Sequence, residues 1–387
     1  MKARILLLLL ILTVFHVVVS QSIKGRVTDA ETGEAMSFAT VYLENSTIGD
    51  ITDKQGKFTL RNLPVGKYII AASFVGYDVT RHEIVLSEGG ELTVNLQMSK
   101  SSVMLKEVEV VEDLQKRKEY LAQFKSAFLG ATSFSNNVRI ENDEVLYFKE
   151  FEDNTILRAF AGAPIEVTNK ALGYRIYYSL IEFSFNKQSG LLRLFGSARF
   201  EELRKKTRKK SLRNRQGAYE GSLLHFFRWI RDPDRDESYT VRAFQRKVER
   251  VDTVKVRLGG FKVVKNDPIR SSAPPDATTK TKLIPKYKDV VGGILDAGEL
   301  AFYDVDNKCF LKGGSYYIIY RGKSLPGFTR PGLKTENPTS LLFIYANNLL
   351  IYANGGVDNP GALYTEGYWS WAENASTLLP MDYRSQD

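Results

Sequence analysis

Reactive side chains are scarce in this chain. Of its 387 residues, one is cysteine and three are histidine. With Cys309 alone, no intrachain disulfide can form, so stability must come from ordinary hydrophobic burial. His16 lies in an apolar leader, which leaves His82 and His225 for chemistry. Neither has a glutamate three residues on, since Val85 and Arg228 stand there. A zinc peptidase needs two or three closely arranged nitrogen or carboxylate ligands, so zinc carboxypeptidase chemistry is disfavoured. Cys309 has no histidine nearby in sequence, and Ser315, after Gly313-Gly314, lacks the following glycine of a nucleophile elbow. Asp232 to Glu237 alternates carboxylates as a calcium loop does. The sixth position is not glycine, however, and the twelfth is Ala243. No metal and no cofactor are expected. Carboxylate pairs such as Glu150 with Asp153, or Asp304 with Asp306, fit a glycosidase in kind, but a chain of this length holds many equivalent pairs.

Long apolar runs are also missing, apart from one at the front. Lys2 and Arg4 precede an apolar stretch from Ile5 to Val19, and Val18 and Ser20 are small enough for a cleavage site before Gln21. Residues 1–20 are therefore expected to be a signal peptide, and the protein to be exported. The chain carries +9, and losing Lys2 and Arg4 lowers this to +7, a mild preference for acidic partners. Phenylalanine and tyrosine are abundant at 22 and 20, which suits β-rich structure. At about 100–200 residues per domain, the chain has room for two.

Residues 21–99 read as a run of short strands. Ala39-Thr40-Val41-Tyr42-Leu43, Lys57-Phe58-Thr59-Leu60, Tyr68-Ile69-Ile70-Ala71-Ala72 and Leu92-Thr93-Val94-Asn95-Leu96 are separated by turn residues, notably Asp53-Lys54-Gln55-Gly56 and Leu63-Pro64-Val65-Gly66. Short strands at this spacing predict a sandwich. The ordered motifs Gly25-Arg26-Val27-Thr28-Asp29, Thr32-Gly33-Glu34, Thr52-Asp53-Lys54-Gln55-Gly56-Lys57-Phe58, Leu63-Pro64-Val65-Gly66-Lys67-Tyr68 and Phe74-Val75-Gly76-Tyr77 resemble the carboxypeptidase-regulatory-like domain. The resemblance implies a transthyretin-like (prealbumin-like) all-β sandwich. It also implies the company of TonB-dependent outer-membrane receptors, and no catalytic role.

Residues 100–113 are expected to be a linker strand. Within it Leu105 to Val111 resembles the segment that follows this domain in TonB-dependent receptors, where it can engage the energy-transducing partner. Residues 114–387 read as a β-rich α+β domain. Leu114, Tyr120, Leu121, Phe124 and Phe128 have helical spacing, with Gly130 as a stop. A second amphipathic helix is predicted from Ala218 to Ile230, a loop from Asn266 to Thr281, and central strands at Tyr316 to Tyr320 and Leu341 to Tyr345. Asn169-Lys170-Ala171-Leu172-Gly173-Tyr174, Arg215-Gln216-Gly217-Ala218-Tyr219-Glu220-Gly221 and Gly367-Tyr368-Trp369-Ser370 resemble exported carboxypeptidase-regulatory-like-domain proteins of Bacteroidota envelopes, which implies the periplasm or outer-membrane periphery as the compartment and no mechanism.

Two segments invite a ligand. Residues 204–215 concentrate Arg204, Lys205, Lys206, Arg208, Lys209, Lys210, Arg213 and Arg215, a composition that suits anionic lipid or lipopolysaccharide. Export argues against nucleic acid. Tyr364, Tyr368, Trp369 and Trp371, with Tyr383 nearby, suit stacking on sugar rings. The expected function is non-catalytic envelope binding or adaptor work on a glycan or protein partner. The alternative is a glycan-directed hydrolase using carboxylates of the second domain.

Overall fold

The computed structural model describes residues 21–87, 90–100, 114–130, 132–151, 155–187, 192–257, 279–322 and 337–385. The expected signal peptide, nearly all of the linker strand and residues 266–278 of the expected loop lie outside these.

The first domain has eight strands: β1 (Gln21–Asp29), β2 (Thr40–Leu43), β3 (Gly49–Ile51), β4 (Lys57–Leu63), β5 (Gly66–Ser73), β6 (Thr80–Leu86), β7 (Glu91–Thr93) and β8 (Leu96–Met98). β4, β1, β7 and β8 form one sheet and β3-β2-β5-β6 the other. Alternate residues turn inward, so Ile23 and Val27 of β1 meet Val41, Leu43 and Ile70 of the facing sheet in a closed core with Phe58, Leu60 and Leu86. The Asp53 turn works as its residues predict. Its carboxylate accepts the Gln55 and Lys57 N–H groups at 2.9 and 2.8 Å, and Gly56 takes the positive φ of +74°.

The second domain opens with α1 (Leu114–Leu129), ended by Gly130 at φ +74°. An upstream antiparallel sheet follows: β9 (Val138–Ile140), β10 (Leu146–Phe151), β11 (Ile156–Ala161), β12 (Ile165–Asn169), β13 (Tyr174–Asn186) and β14 (Leu192–Glu202). Two helices come next, α2 (Lys209–Tyr219) and α3 (Leu223–Arg231). The downstream sheet comprises β15 (Tyr239–Arg257), β16 (Thr279–Ile294), β17 (Ala301–Tyr303), β18 (Cys309–Tyr320), β19 (Thr339–Ile351) and β20 (Leu363–Gly367). A short α4 (Ala297–Leu300) lies between β16 and β17, and α5 (Tyr368–Ala372) follows β20. The order is β16-β15-β18-β19-β20, with β17 on β18. One core joins both sheets and the helices: Phe124, Phe128, Tyr174, Phe183, Phe226, Ile318, Leu342 and Trp369 belong to it.

Two expectations need correction. The helix predicted from Ala218 to Ile230 is two helices. Gly221 breaks the chain at φ +79°, and Ser222 caps α3 by accepting the His225 N–H at 3.0 Å. The predicted loop ends early, since Thr279 to Thr281 already pair in β16.

The two domains are fastened through main chain. Asn45, at φ +58°, donates its N–H to Ala198 O at 2.5 Å and accepts Ala198 N–H on its side-chain oxygen at 2.8 Å. Met381 N–H reaches Asn45 O at 2.6 Å, and Phe200 N–H reaches Ser46 O at 3.0 Å. Thr47 donates its N–H to Asp382 at 2.8 Å and also donates its hydroxyl to that carboxylate. Arg228 of α3 holds the same terminal segment, donating to Met381 O and Tyr383 O at 2.8 Å each. The tail is thereby wedged between α3 and the sandwich, which makes the first domain a fixed attachment.

Candidate ligand face on the downstream sheet

The downstream sheet buries one side in the core and leaves the other partly open. Opposed residues of an antiparallel pair share a face, as do alternate residues along a strand. Val241, Ile318, Leu342 and Ile344 point into the core. Their neighbours Phe244, Phe343, Tyr345 and Tyr364 therefore lie on the outer side, joined there by Tyr287 of β16. Phe244 meets Phe343 edge-on at 5.7 Å, and Tyr364 meets Phe343 at 5.6 Å. Tyr345 and Tyr287 stand clear of the protein at 75% and 55% exposure.

A charged cluster sits among these rings. Arg246 gives Asp289 two hydrogen bonds, 2.8 Å from Nε and 2.9 Å from Nη2, and gives Glu366 two more at 2.7 and 3.0 Å. Its guanidinium lies 5.6 Å from the Phe244 ring centre and 5.4 Å from that of Phe343. Bidentate pairing of this kind fixes geometry as well as charge. The guanidinium holds the Asp289 carboxyl below the usual carboxylate range, and the two carboxylates raise Arg246 still further. Partial burial, then Glu366, raises the Tyr364 hydroxyl. Phe244 and Phe343 are themselves buried, so the result is a set of fixed donors and acceptors over buried rings, with Tyr287 and Tyr345 exposed and Tyr364 half-buried beside them. Both acids of the cluster are engaged by one arginine.

The structure divides the aromatic residues singled out in the sequence. Tyr364 is on the outer face. Tyr368 and Trp369 begin α5, where strand alternation stops, and both turn into the core. Trp369 is 1% exposed, its Nε1 donates to Gly221 O at 2.8 Å, and its ring lies 5.2 Å from that of Phe226. Trp371 is half-buried, edge-on to Tyr368 at 5.1 Å. A single stacking surface of Tyr364, Tyr368, Trp369 and Trp371 does not exist, because a helix begins between the first and the rest.

The basic segment is likewise split. Arg204, Lys205, Lys206, Arg208, Lys209, Lys210 and Arg213 are exposed, on a connector and the outer side of α2. Arg215 is buried. It donates to both Glu202 oxygens at 2.8 Å and to Leu172 O at 2.7 Å, and it lies 3.7 Å over the Tyr174 ring. Its guanidinium is fully engaged inside the protein, so it cannot serve the anion-binding surface.

The remaining reactive groups have structural surroundings. Gly221 N–H donates to His225 Nδ1 at 3.1 Å, and the imidazole packs among Tyr219, Tyr239 and Tyr320. Burial pushes it down to about 4. Cys309 is buried, and burial raises its thiol. Asp304 accepts the Asp306 and Lys308 N–H groups in a tight turn, and Glu150 pairs with Lys187. Glu373 accepts Leu223 N–H at 2.7 Å at the start of α3. Close packing raises its carboxyl, against that hydrogen bond and against the solvent that still reaches it. A cavity of about 320 Å³ is lined in part by Trp229, Arg235, Asp236, Asp296 and Arg321. Asp236 is bonded to Ser238 and held below its usual range, while Asp296 caps α4. Among the described residues, no group of three or more His, Cys, Asp or Glu is placed to hold a metal ion. No helix among them is long and apolar enough to cross a membrane.

Residues 23–110 match the sequence model of the CarboxypepD_reg-like domain. The first domain is a CarboxypepD_reg-like domain. The motifs from Gly25 to Tyr77 lie inside the match. No curated protein matches the chain at a significant level. Among solved structures, 3-chlorocatechol 1,2-dioxygenase from Rhodococcus opacus is similar over 21% of this chain and 60% of its own, at 12% identity and TM-score 0.18. The chain thus spans less than two thirds of that enzyme's length. A cohesin–X-dockerin complex from Acetivibrio cellulolyticus aligns over 29% of this chain and 76% of its own, at 16% identity and TM-score 0.20. A protein of unknown function from Bacteroides fragilis, described as membrane-associated, aligns over 90% and 93%, at 10% identity and TM-score 0.18. Likeness at these TM-scores carries nothing about the fold or activity of the second domain beside the CarboxypepD_reg-like domain.

Proposed function

We propose that this is a non-catalytic binding protein of the cell envelope, exported by residues 1–20 to the periplasm or outer-membrane periphery. In this reading the CarboxypepD_reg-like domain is a rigid adaptor, and the second domain holds a glycan on the outer face of its downstream sheet. The observation that supports it is the Arg246–Asp289–Glu366 cluster set among Tyr287, Phe343, Tyr345 and Tyr364 on an open sheet. Sugar rings present apolar C–H faces that stack on aromatic side chains, and a preformed charged cluster binds their hydroxyls without having to be ordered first. An open face also favours binding over hydrolysis, which needs a carboxylic acid and a second carboxylate across the scissile bond.

Glycan-array binding by the chain from Gln21 to Asp387 tests this, with Tyr345→Ala and Tyr364→Ala introduced together. The expected result is a loss of roughly tenfold in affinity for whichever glycan the parent retains, or about 1.4 kcal/mol. Unchanged retention would place the ligand elsewhere. Release of new reducing ends during the assay would favour the hydrolase alternative.

A further inference from the structure

β15 and β16 run far beyond the sheet that anchors them. β18 pairs with β15 only from Tyr239 to Ala243, whereas β16 pairs with β15 along to Arg257. Among the described residues the fourteen from Phe244 to Arg257 thus have β16 as their only strand partner, a ribbon of roughly 45 Å at about 3.3 Å per residue. The two strands hold ten Lys and Arg against three Asp and Glu, so they carry +7 in a chain whose total is +9.

The register sorts this charge. Val248 lies opposite Tyr287 and Val251 opposite Pro285, and Val248, Val251 and Tyr287 are 57%, 53% and 55% exposed. Lys247 lies opposite Lys288 and Arg250 opposite Lys286, all exposed and all on the other face. A β-bulge between Val248 and Arg250 is what separates them. From Lys247 to Val251 and from Pro285 to Lys288 the ribbon therefore has an apolar face and a cationic face, both open to solvent.

We propose that this ribbon docks onto a bilayer bearing anionic phosphate headgroups. An amphipathic element with basic residues on its polar side lies in the interface, with its apolar side at the headgroup–acyl boundary and its cations at the phosphates. Unpaired strand edges cannot enter the hydrocarbon, so the ribbon lies along the surface and does not span it. The exposed cations from Arg204 to Arg213 lack this second property: Ser211 between them is buried, and no large exposed apolar residue lies in that stretch. The apolar face continues the outer face of the glycan reading and shares Tyr287 with it, but its test is separate, since simple vesicles carry no sugar.

The test is co-sedimentation of the chain beginning at Gln21, which holds both cores, with phosphatidylglycerol-containing and pure phosphatidylcholine vesicles. Binding is expected only to the former, and it should weaken with salt. Lys247→Gln with Lys286→Gln and Lys288→Gln, and separately Val248→Ser with Tyr287→Ser, should each lower partitioning by roughly tenfold. Arg204→Gln with Lys205→Gln and Lys206→Gln should change it by less than about twofold. Circular dichroism checks that each variant is folded. Equal binding to both vesicles, or ribbon variants that bind like the parent, would overturn the proposal. So would a parent that ignores vesicles and instead forms a dimer abolished by Val248→Ser with Tyr287→Ser, which would assign the apolar face to a second copy.

Discussion

Arg215 and Arg213 offer a sharp comparison, because they are two residues apart on one helix and equal in charge. Arg213 is exposed, whereas Arg215 is 5% exposed and engaged on every side. Arg215→Gln removes two hydrogen bonds to Glu202, one to Leu172 O, and the contact with Tyr174. Hydrogen bonds to charged groups contribute about 1.5–3 kcal/mol each and a cation–π contact about 1 kcal/mol, though not additively. Breaking a fully buried pair costs about 3–5 kcal/mol. The Glu202 side chain is 40% exposed and rehydrates once released, which places the expected loss near the lower end, about 3 kcal/mol. For a domain of this size that lowers Tm by roughly 6–12 °C. Arg213→Gln should cost less than about 0.5 kcal/mol. Thermal and urea unfolding followed by circular dichroism compare the two directly. The assignment of Arg215 to the interior fails if both variants melt together, or if Arg215→Gln weakens anion binding while leaving stability untouched.

The buried imidazole makes stability depend on pH. His225 titrates near 4 when folded against an ordinary 6.5, so the unfolded chain binds its proton first, and stability should fall as pH drops from about 6.5 to 4. The contribution is about 2–3 kcal/mol, and His225→Phe should flatten that part of the urea-midpoint profile; an unchanged slope would place the imidazole in water. Asp382→Ala should weaken the clasp between the domains by about 1–2 kcal/mol, seen as faster hydrogen exchange at the Thr47 and Ala198 amides with the sandwich core still protected. Gly25→Ala would set a Cβ 1.7 Å from Val94 O, so strands must part; the expected loss is about 3 kcal/mol, and protection of Ile23 and Val27 should fall while that of Ile318 holds.

The first domain was legible because its signals are local. Alternation over a few residues and a glycine at a positive-φ turn each constrain their own neighbourhood, and both held at Gly56 and along β1. The helix α1 was legible for the same reason, with Phe124 and Phe128 on one side and Gly130 at its end. The break between α2 and α3 also had a local signal, since Gly221-Ser222 ahead of Leu223 is a stop followed by a cap. Apolar periodicity on both sides concealed it. Periodicity likewise could not show that β20 gives way to a helix at Tyr368, and that change moves Tyr368 from the outer face, where alternation from Tyr364 would put it, to the core.

The candidate site had no local signal at all. Arg246 meets a carboxylate 43 residues away and another 120 residues away, and only strand register brings them together. The charge of the ribbon is present in the composition, but it is spread over two strands, whereas the run at Arg204 to Arg213 is compact. Strict alternation would put Val248 and Arg250 on the same side, giving two mixed faces of no particular use. The single extra residue of the bulge reverses every position beyond it, gathering Val248, Val251 and Tyr287 on one side and Lys247, Arg250, Lys286 and Lys288 on the other. A surface with two chemically distinct faces thus arises from one irregularity in pairing. Inserting a serine between Lys286 and Tyr287, opposite Glu249, restores plain alternation without altering any charge; it puts Arg250 and Lys286 on the side of Val248 and Tyr287, and Val251 on the side of Lys247, and should lower partitioning onto anionic vesicles as far as the triple lysine variant does. Partitioning that survives the insertion would mean that net charge, and not the sorting of faces, drives the contact.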